Sequence, residues 1–271
     1  MKKDIKGVAI ITGASRGIGR ALAEKYAREG FNLTLVADAE EELQETASIL
    51  DNNESCLILC GNLENDGFLK EIIDRTFQKW GRIDILVNNA AWRTVETLKS
   101  MSLDTWEKTL RVCLTAPAFL GKMAAEKMEQ NNTGGVIINL SSIMAERAGG
   151  TSPAYVASKG ALLSLTYEMA ALYGPSRIRV LAVCPGNVVT QMSQDYTDER
   201  GENISQRLKE EMEGMTPLRR SAAPQEVADA VYWLSSEEAA FMTGTSLVID
   251  GGFSHNFNSY KAKRLQFPGA F

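Results

Sequence analysis

Tyr155 and Lys159 stand four residues apart in the stretch YVASK, with only small residues between them. On a helix that spacing puts a phenol and an ammonium on one face, one turn apart. A phenol with a reference pKa near ~10 is a poor base at neutral pH. A neighbouring positive charge favours the phenolate and makes the group usable as both acid and base. Taken alone, the pair reads as an ordinary exposed helical pair with a packed ring.

The stretch TGASRGIG at 12–19 offers different chemistry. Gly13, Gly17 and Gly19 lie between an apolar run and a helical pattern. A helix N-terminus carries free N–H groups, and glycines let the backbone approach closely, which is how a doubly wound sheet binds a pyrophosphate. The spacing is G-x-x-x-G-x-G rather than the broader G-x-G-x-x-G fingerprint, and a tight strand-to-helix turn without a ligand is the plain alternative. Asp38, ending the second strand-like run, stands where an acidic residue can bond an adenosine ribose 2′-hydroxyl. Its carboxylate would repel a 2′-phosphate, which favours NAD over NADP. Arg16, inside the cradle, argues the other way because it could pair with such a phosphate. It could equally lie over the adenine or face solvent, and Asp38 could instead cap the helix that DAEEE begins.

The elements that must position these residues show as alternating patterns. Apolar, strand-like runs occupy 7–11, 31–38, 55–60, 83–91, 134–142, 178–186 and 245–252. Helical patterns at 19–30, 39–51 and 68–81 separate the early ones, with Gly30 and Gly81 as C-caps. Runs that are apolar throughout suit parallel strands covered on both faces, so the pattern implies the α/β class with βα units around a parallel sheet. The polar, Met-rich segment 191–220 reads as a flap over the substrate, and 254–271 as a tail that packs on a neighbouring subunit or is simply ordered.

With 271 residues, 44% hydrophobic and 23% charged, the chain can bury a sizeable core. A net charge of −5 gives no footprint for nucleic acid or for an anionic membrane. The four cysteines include no C-x-x-C pair and the one histidine is His255, which argues against a zinc site or a disulfide framework. The basic start MKKDIKGVAIITGAS breaks at Thr12 and Gly13, so neither a signal peptide nor a spanning helix is read there. A reduced, cytoplasmic protein is expected.

Taken together and in order, these motifs resemble the short-chain dehydrogenase/reductase family. The resemblance rests on TGASRGIG at 12–19, NNAA at 88–91, SS at 141–142, YVASK at 155–159 and PGNVVT at 185–190, and the stretch 217–252 resembles the family's C-terminal portion. It implies one doubly wound Rossmann-type domain with a seven-stranded parallel sheet and helices on both faces, a nicotinamide cofactor, and a homotetramer or homodimer. It implies that Gly13, Ser15, Arg16, Gly17, Ile18 and Gly19 cradle the cofactor, with Asn62 and Leu63 beside the adenine. Asn89 and Ala90 border the cofactor, and Pro185, Gly186, Val188 and Thr190 hold its nicotinamide end. It makes Tyr155 the acid and base, with Lys159 tuning it and bonding the nicotinamide ribose. Ser142, thirteen residues before Tyr155, bonds the substrate oxygen. Ser141 is the runner-up, expected on the opposite side of the strand.

Three positions depart from the family pattern: Asn62 replaces a common Asp, Ala91 replaces the last Gly of its motif, and Cys113 in VCLT replaces an Asn that anchors a proton-relay water. A thiol is a weak donor and acceptor. Either the relay runs through other waters or Thr115, or proton exchange is impaired.

Trp92, Arg93, Arg147 and Asn187 follow the strand ends and are expected to face the substrate. Trp92 would stack on a ring or pack under the flap. Arg93 and Arg147 would clamp a carboxylate or other anion or stand as solvated loop arginines. The leading reading is hydride transfer between a nicotinamide cofactor and a secondary alcohol or ketone on a polar or acidic small molecule, such as a sugar derivative. The alternatives are a 3-oxoacyl (acyl-carrier) reductase, and a cofactor-binding interaction protein made slow by Cys113.

Overall fold

β1 (Gly7–Thr12) is buried along its whole length. Its two faces serve different layers: Ala9 and Ile11 enter one apolar cluster and Ile10 the other. A fully buried Ile contributes about 1.5–3 kcal/mol relative to exposure, so a run buried on both faces has little freedom to slip. β2 (Phe31–Ala37), β4 (Ile85–Asn88), β5 (Gly135–Leu140) and β6 (Ile178–Pro185) repeat the pattern. With β3 (Cys56–Cys60) and β7 (Thr245–Ile249) at the edges they form one seven-stranded parallel sheet in the order β3-β2-β1-β4-β5-β6-β7. This computed structural model describes residues 5–50, 55–194, 196–198 and 200–270.

Helices cover both faces. α1 (Gly17–Arg28), α2 (Glu40–Ser48) and α8 (Pro224–Ser235) pack on one side. α3 (Asp66–Trp80), α5 (Ala116–Asn131) and α6 (Pro153–Tyr173) pack on the other. The order reverses between β1 and β4, which opens a crevice at the carboxyl ends of the strands. α4 (Leu103–Leu110) runs through a π-helical turn, Arg111–Thr115, into α5. Sequence patterning assigned no element there.

Apart from β1, which extends one residue to Thr12, the strands are shorter than their apolar patterns. Residues 89–91, 141–142 and 250–252 leave the ladder as the chain splays out toward the crevice. The proposed flap holds a short turn at Gln191–Ser193, an isolated bridge between Thr197 and Asn203, and α7 (Ser205–Met215). The tail forms a turn and then α9 (Tyr260–Gln266). It docks on the flap of its own chain: Asn256 Nδ2 donates to the Met215 carbonyl, and the Arg219 guanidinium lies 4.0 Å from the Tyr260 ring centroid. Residues 195 and 199 of the flap, 271 of the tail, 51 of the second helical pattern and the basic start at 1–4 lie outside the described residues. Among the described residues no helix is long and apolar enough to cross a membrane, and no group of three or more ligating side chains could hold a metal.

Candidate active site

The first turn is built by β4 as much as by β1. Thr12 Oγ1 accepts from the Asn89 and Ala90 backbone N–H groups, both at 3.0 Å. Asn89 Nδ2 donates to the Thr12 carbonyl at 2.9 Å and to the Gly13 carbonyl at 3.1 Å. The NNAA stretch therefore fixes the cradle's backbone. Gly13 has φ +66, and a Cβ there would stand 2.8 Å from Ala90 Cα. A Cβ on Gly19 would stand 1.8 Å from the Gly13 carbonyl oxygen. Arg16 precedes α1 and supplies no side-chain cap, so no side chain of the N-cap competes for the helix's first N–H groups. A cradle without Cβ atoms, opening on an uncapped helix N-terminus, fits the diphosphate of a nicotinamide dinucleotide. Arg20 braces it from behind: its Nε and Nη2 donate to the Ser15 carbonyl at 3.0 and 2.8 Å, and Nε also reaches Thr46 of α2 at 2.9 Å.

At the far end, Asp38 is exposed on the cleft wall. It does not cap α2, whose N-cap is Ala39 with no side-chain bond. Arg16 is turned toward neighbours of its own: Nη1 donates to Gln191 Oε1 at 2.8 Å and lies 3.6 Å from Glu42 Oε1. Asn62 closes a local turn, accepting from the Glu64 N–H at 2.9 Å and donating to Glu64 Oε2 at 2.7 Å, beside buried Leu63.

At the other end α6 begins with Pro153 at its first turn, where the missing N–H costs nothing. It presents Tyr155 and Lys159 to the cleft. Lys159 is 2% exposed, its Nζ donates to the Leu140 carbonyl at 2.6 Å, and it lies 5.4 Å from the Tyr155 ring centroid. One acceptor is few for a buried ammonium with three donors, so the site favours further hydroxyls from a bound molecule. Ser141 donates to the Lys159 carbonyl at 2.9 Å, which occupies its proton. Ser142 accepts from the Met144 N–H at 3.1 Å, which leaves its proton available.

Beneath these groups runs a buried chain that sequence reasoning missed. Asn88 Nδ2 donates to Asn139 Oδ1 at 2.9 Å, Asn139 Nδ2 to Thr166 Oγ1 at 2.9 Å, and Thr166 to the Leu162 carbonyl at 2.8 Å. It ties β4, β5 and α6 together, and unpairing buried amides is costly. Beyond β6, the exit carrying Gly186, Val188 and Thr190 is braced by the segment 221–222. The Ala222 N–H donates to the Asn187 carbonyl at 2.9 Å, and Asn187 Nδ2 donates to Ser221 Oγ at 2.8 Å.

All the predicted positions, from Gly13 through Asp38, Asn62, Asn89, Ser142 and Tyr155 to Pro185 and Thr190, line one cleft of about 680 Å³. Trp92, Arg93, Arg147 and Asn187 line it too. Trp92 lies under the Lys108 ammonium, 4.6 Å from its ring centroid. Arg147 is exposed, whereas Arg93 is half-buried and donates from Nη2 to the Tyr196 hydroxyl at 2.6 Å. Tyr196, Met192, Leu208 and Met212 of the flap also face the cleft. Their Met-rich composition pointed to a flap, but nothing in the sequence singled out Tyr196.

A family model described as Enoyl-(Acyl carrier protein) reductase matches residues 13–254. Glucose 1-dehydrogenase 2 of Bacillus subtilis (strain 168) is 31% identical over 258 residues, covering 94% of this chain and 97% of its own. 3beta-hydroxysteroid dehydrogenase 2 of Eggerthella lenta is 32% identical over 254 residues, covering 91% and 94%. Among solved structures, 4-hydroxyisoleucine dehydrogenase complexed with NADH matches with a TM-score of 0.83 at 26% identity, over 92% of this chain and 99% of that one.

Proposed function

The chain belongs to the short-chain dehydrogenase/reductase family, and on that premise we propose that it moves a hydride between NAD and a secondary alcohol or its ketone. The observation that carries this reading is the convergence of the Tyr155 phenol, the buried Lys159 ammonium and the Ser142 hydroxyl on one cleft that begins at a glycine cradle. A nicotinamide cofactor, when bound, supplies or accepts the hydride. The cradle from Gly13 to Gly19 and the N-terminus of α1 would hold its diphosphate, and Asp38 the adenosine ribose. Lys159 would bond the nicotinamide ribose, and Pro185, Gly186, Val188 and Thr190 would flank the ring.

The proton is the protein's task. Ser142 donates to the substrate oxygen and holds it before Tyr155. Tyr155 takes the alcohol proton in oxidation and returns it in reduction. The Lys159 charge favours the negative oxygen that Tyr155 then carries. NAD is preferred to NADP because Asp38 is exposed at the ribose end while Arg16 is engaged with Glu42 and Gln191.

The test is absorbance of reduced nicotinamide across an alcohol and ketone panel, with NAD and NADP, for the protein and its Tyr155→Phe variant. Loss of the general acid–base should lower kcat by about 10³-fold while the cofactor Kd moves little. A Phe variant that keeps a tenth of the rate would defeat the reading. The matching family description favours one second reading, reduction of acyl thioesters on a carrier protein. An acidic carrier would need a basic rim, which a net charge of −5 does not encourage. We also propose a homo-oligomer, a dimer or tetramer, working in the cytoplasm. Apolar side chains exposed on α4, α5 and α6, among them Leu103, Phe119 and Leu172, support self-association.

A further inference from the structure

Arg93 follows the exit of β4 and is held between two aromatic rings. Its guanidinium carbon lies 5.8 Å from the Tyr155 ring centroid and 5.3 Å from that of Tyr196. Nη2 donates to the Tyr196 hydroxyl, while Nε is buried with no hydrogen-bond partner. Among the described residues Arg93 has no carboxylate partner. Three other cations of the cleft do: Arg16 lies 3.6 Å from Glu42, Lys108 3.8 Å from Glu64, and Lys209 3.9 Å from Glu213, whereas Arg147 is exposed and Lys159 donates to the Leu140 carbonyl. Asp38 and Glu64 are the two acidic side chains that line the cleft among the described residues, and Glu64 is paired with Lys108 while Asp38 follows β2. The reacting end is therefore cationic, and it holds a guanidinium N–H that is costly to leave unpaired.

A planar oxyanion answers both features, because a carboxylate accepts parallel N–H bonds from the guanidinium fork. We propose that the substrate carries a carboxylate bound by Arg93, with Tyr196 of the flap orienting the guanidinium. This rests on the oxidoreductase reading above. Because Arg93 stacks against the Tyr155 ring itself, the anion and the reacting carbon are separated by few bonds, which points to short 2- or 3-oxo acids and their hydroxy acids.

The experiment compares 2-oxobutanoate and 3-oxobutanoate with their methyl esters as substrates, using NADH, for the protein and for Arg93→Gln and Arg93→Lys. The protein should prefer the acids in kcat/KM. Arg93→Gln should lower kcat/KM for the acids by about 100-fold, the worth of a charge-assisted hydrogen bond, and for the esters by less than a tenth of that factor. Arg93→Lys should restore part of the loss. Equal losses for acids and esters, or a protein that prefers the esters, overturns the proposal. If none of the four compounds is reduced, calorimetric titration of butanoate and butanamide into the NADH-loaded protein separates the two readings. Butanoate binding that disappears in Arg93→Gln upholds the anion site and rejects the short oxo acids as substrates, leaving the oxidoreductase reading to the alcohol and ketone panel. Equal binding of the two compounds overturns the anion site.

Discussion

The Cys113 thiol and the Trp92 backbone bond each other twice: the Trp92 N–H donates to Sγ at 3.4 Å, and Sγ–H donates to the Trp92 carbonyl at 3.4 Å. Cys113 is fully buried in the π-helical turn, so this clasp fixes the start of the loop that carries Arg93. A thiol that is both donor and acceptor to one peptide unit serves the architecture of the loop. Cys113→Ala should cost about 1–2 kcal/mol through two lost bonds and a small void. That lowers the melting midpoint by roughly 4 °C in a chain of this size, and KM should rise more than kcat falls. Calorimetry and steady-state kinetics check both, and an unchanged midpoint and KM would show that the clasp carries nothing.

Gly19→Ala places a methyl 1.8 Å from the Gly13 carbonyl oxygen, against backbone that Asn89 also holds. The turn must open to admit it. The expected result is dinucleotide affinity reduced by about 100-fold, the effect of losing a close backbone approach at an anion site. Quenching or enhancement of NADH fluorescence measures it. Affinity within threefold of the parent would mean that the diphosphate does not sit in this turn.

Asp38→Ser removes the exposed carboxylate that we propose holds the adenosine ribose. Two like charges ~4 Å apart near a surface repel by about 1–4 kcal/mol. The ratio of kcat/KM for NADPH to that for NADH should therefore rise at least about tenfold. A ratio that does not move would remove Asp38 from cofactor choice.

Glu226 bonds both terminal nitrogens of Arg220 at 2.7 Å and accepts from the Ala223 N–H at 2.8 Å. The Arg220 guanidinium first, and then the Ala223 N–H, hold its carboxyl down to about 2, from an ordinary value of 4.5. A depressed carboxyl contributes stability that is present above the ordinary value and lost as pH falls toward the folded value. The pair is solvent-exposed, so the contribution is small. Below pH 4.5, stability of the parent should fall more steeply than that of Glu226→Gln, the two converging near pH 2. Urea midpoints at successive pH values read this out, and parallel curves would sink it.

The sheet was legible because strands covered on both faces are apolar at nearly every position, as GVAII is and as IRVLAV is apart from the half-buried Arg179. The cleft residues Gly13, Asn89, Tyr155 and Lys159 were legible through the resemblance of their motifs to a family, and they fall at strand exits or in the first two turns of α6. What could not be read depends on long-range geometry. Asn88 looked like part of a polar exit and Asn139 drew no reading of its own, yet they bond each other across the two central strands at 2.9 Å. Tyr196 lies 103 positions from Arg93 in an irregular stretch, and no periodicity links them. The strand ends were overestimated because the polar and glycine residues that follow the apolar runs, among them Asn89, Ser141, Ser142 and Asp250, leave the ladder at the crevice.

The cleft draws on seven separate stretches between Gly13 and Thr190, and its last wall is braced by Ala222. A chain emerging from the ribosome holds every residue of the glycine turn and its brace once Asn89, which bonds the Thr12 and Gly13 carbonyls, has been made. It acquires Tyr155, Lys159 and the β6 exit only after roughly another hundred residues have been made. The far end of the cleft is thus written later in the chain than the glycine turn, so a product that stops before Tyr155 lacks the phenol and the ammonium whatever else it binds.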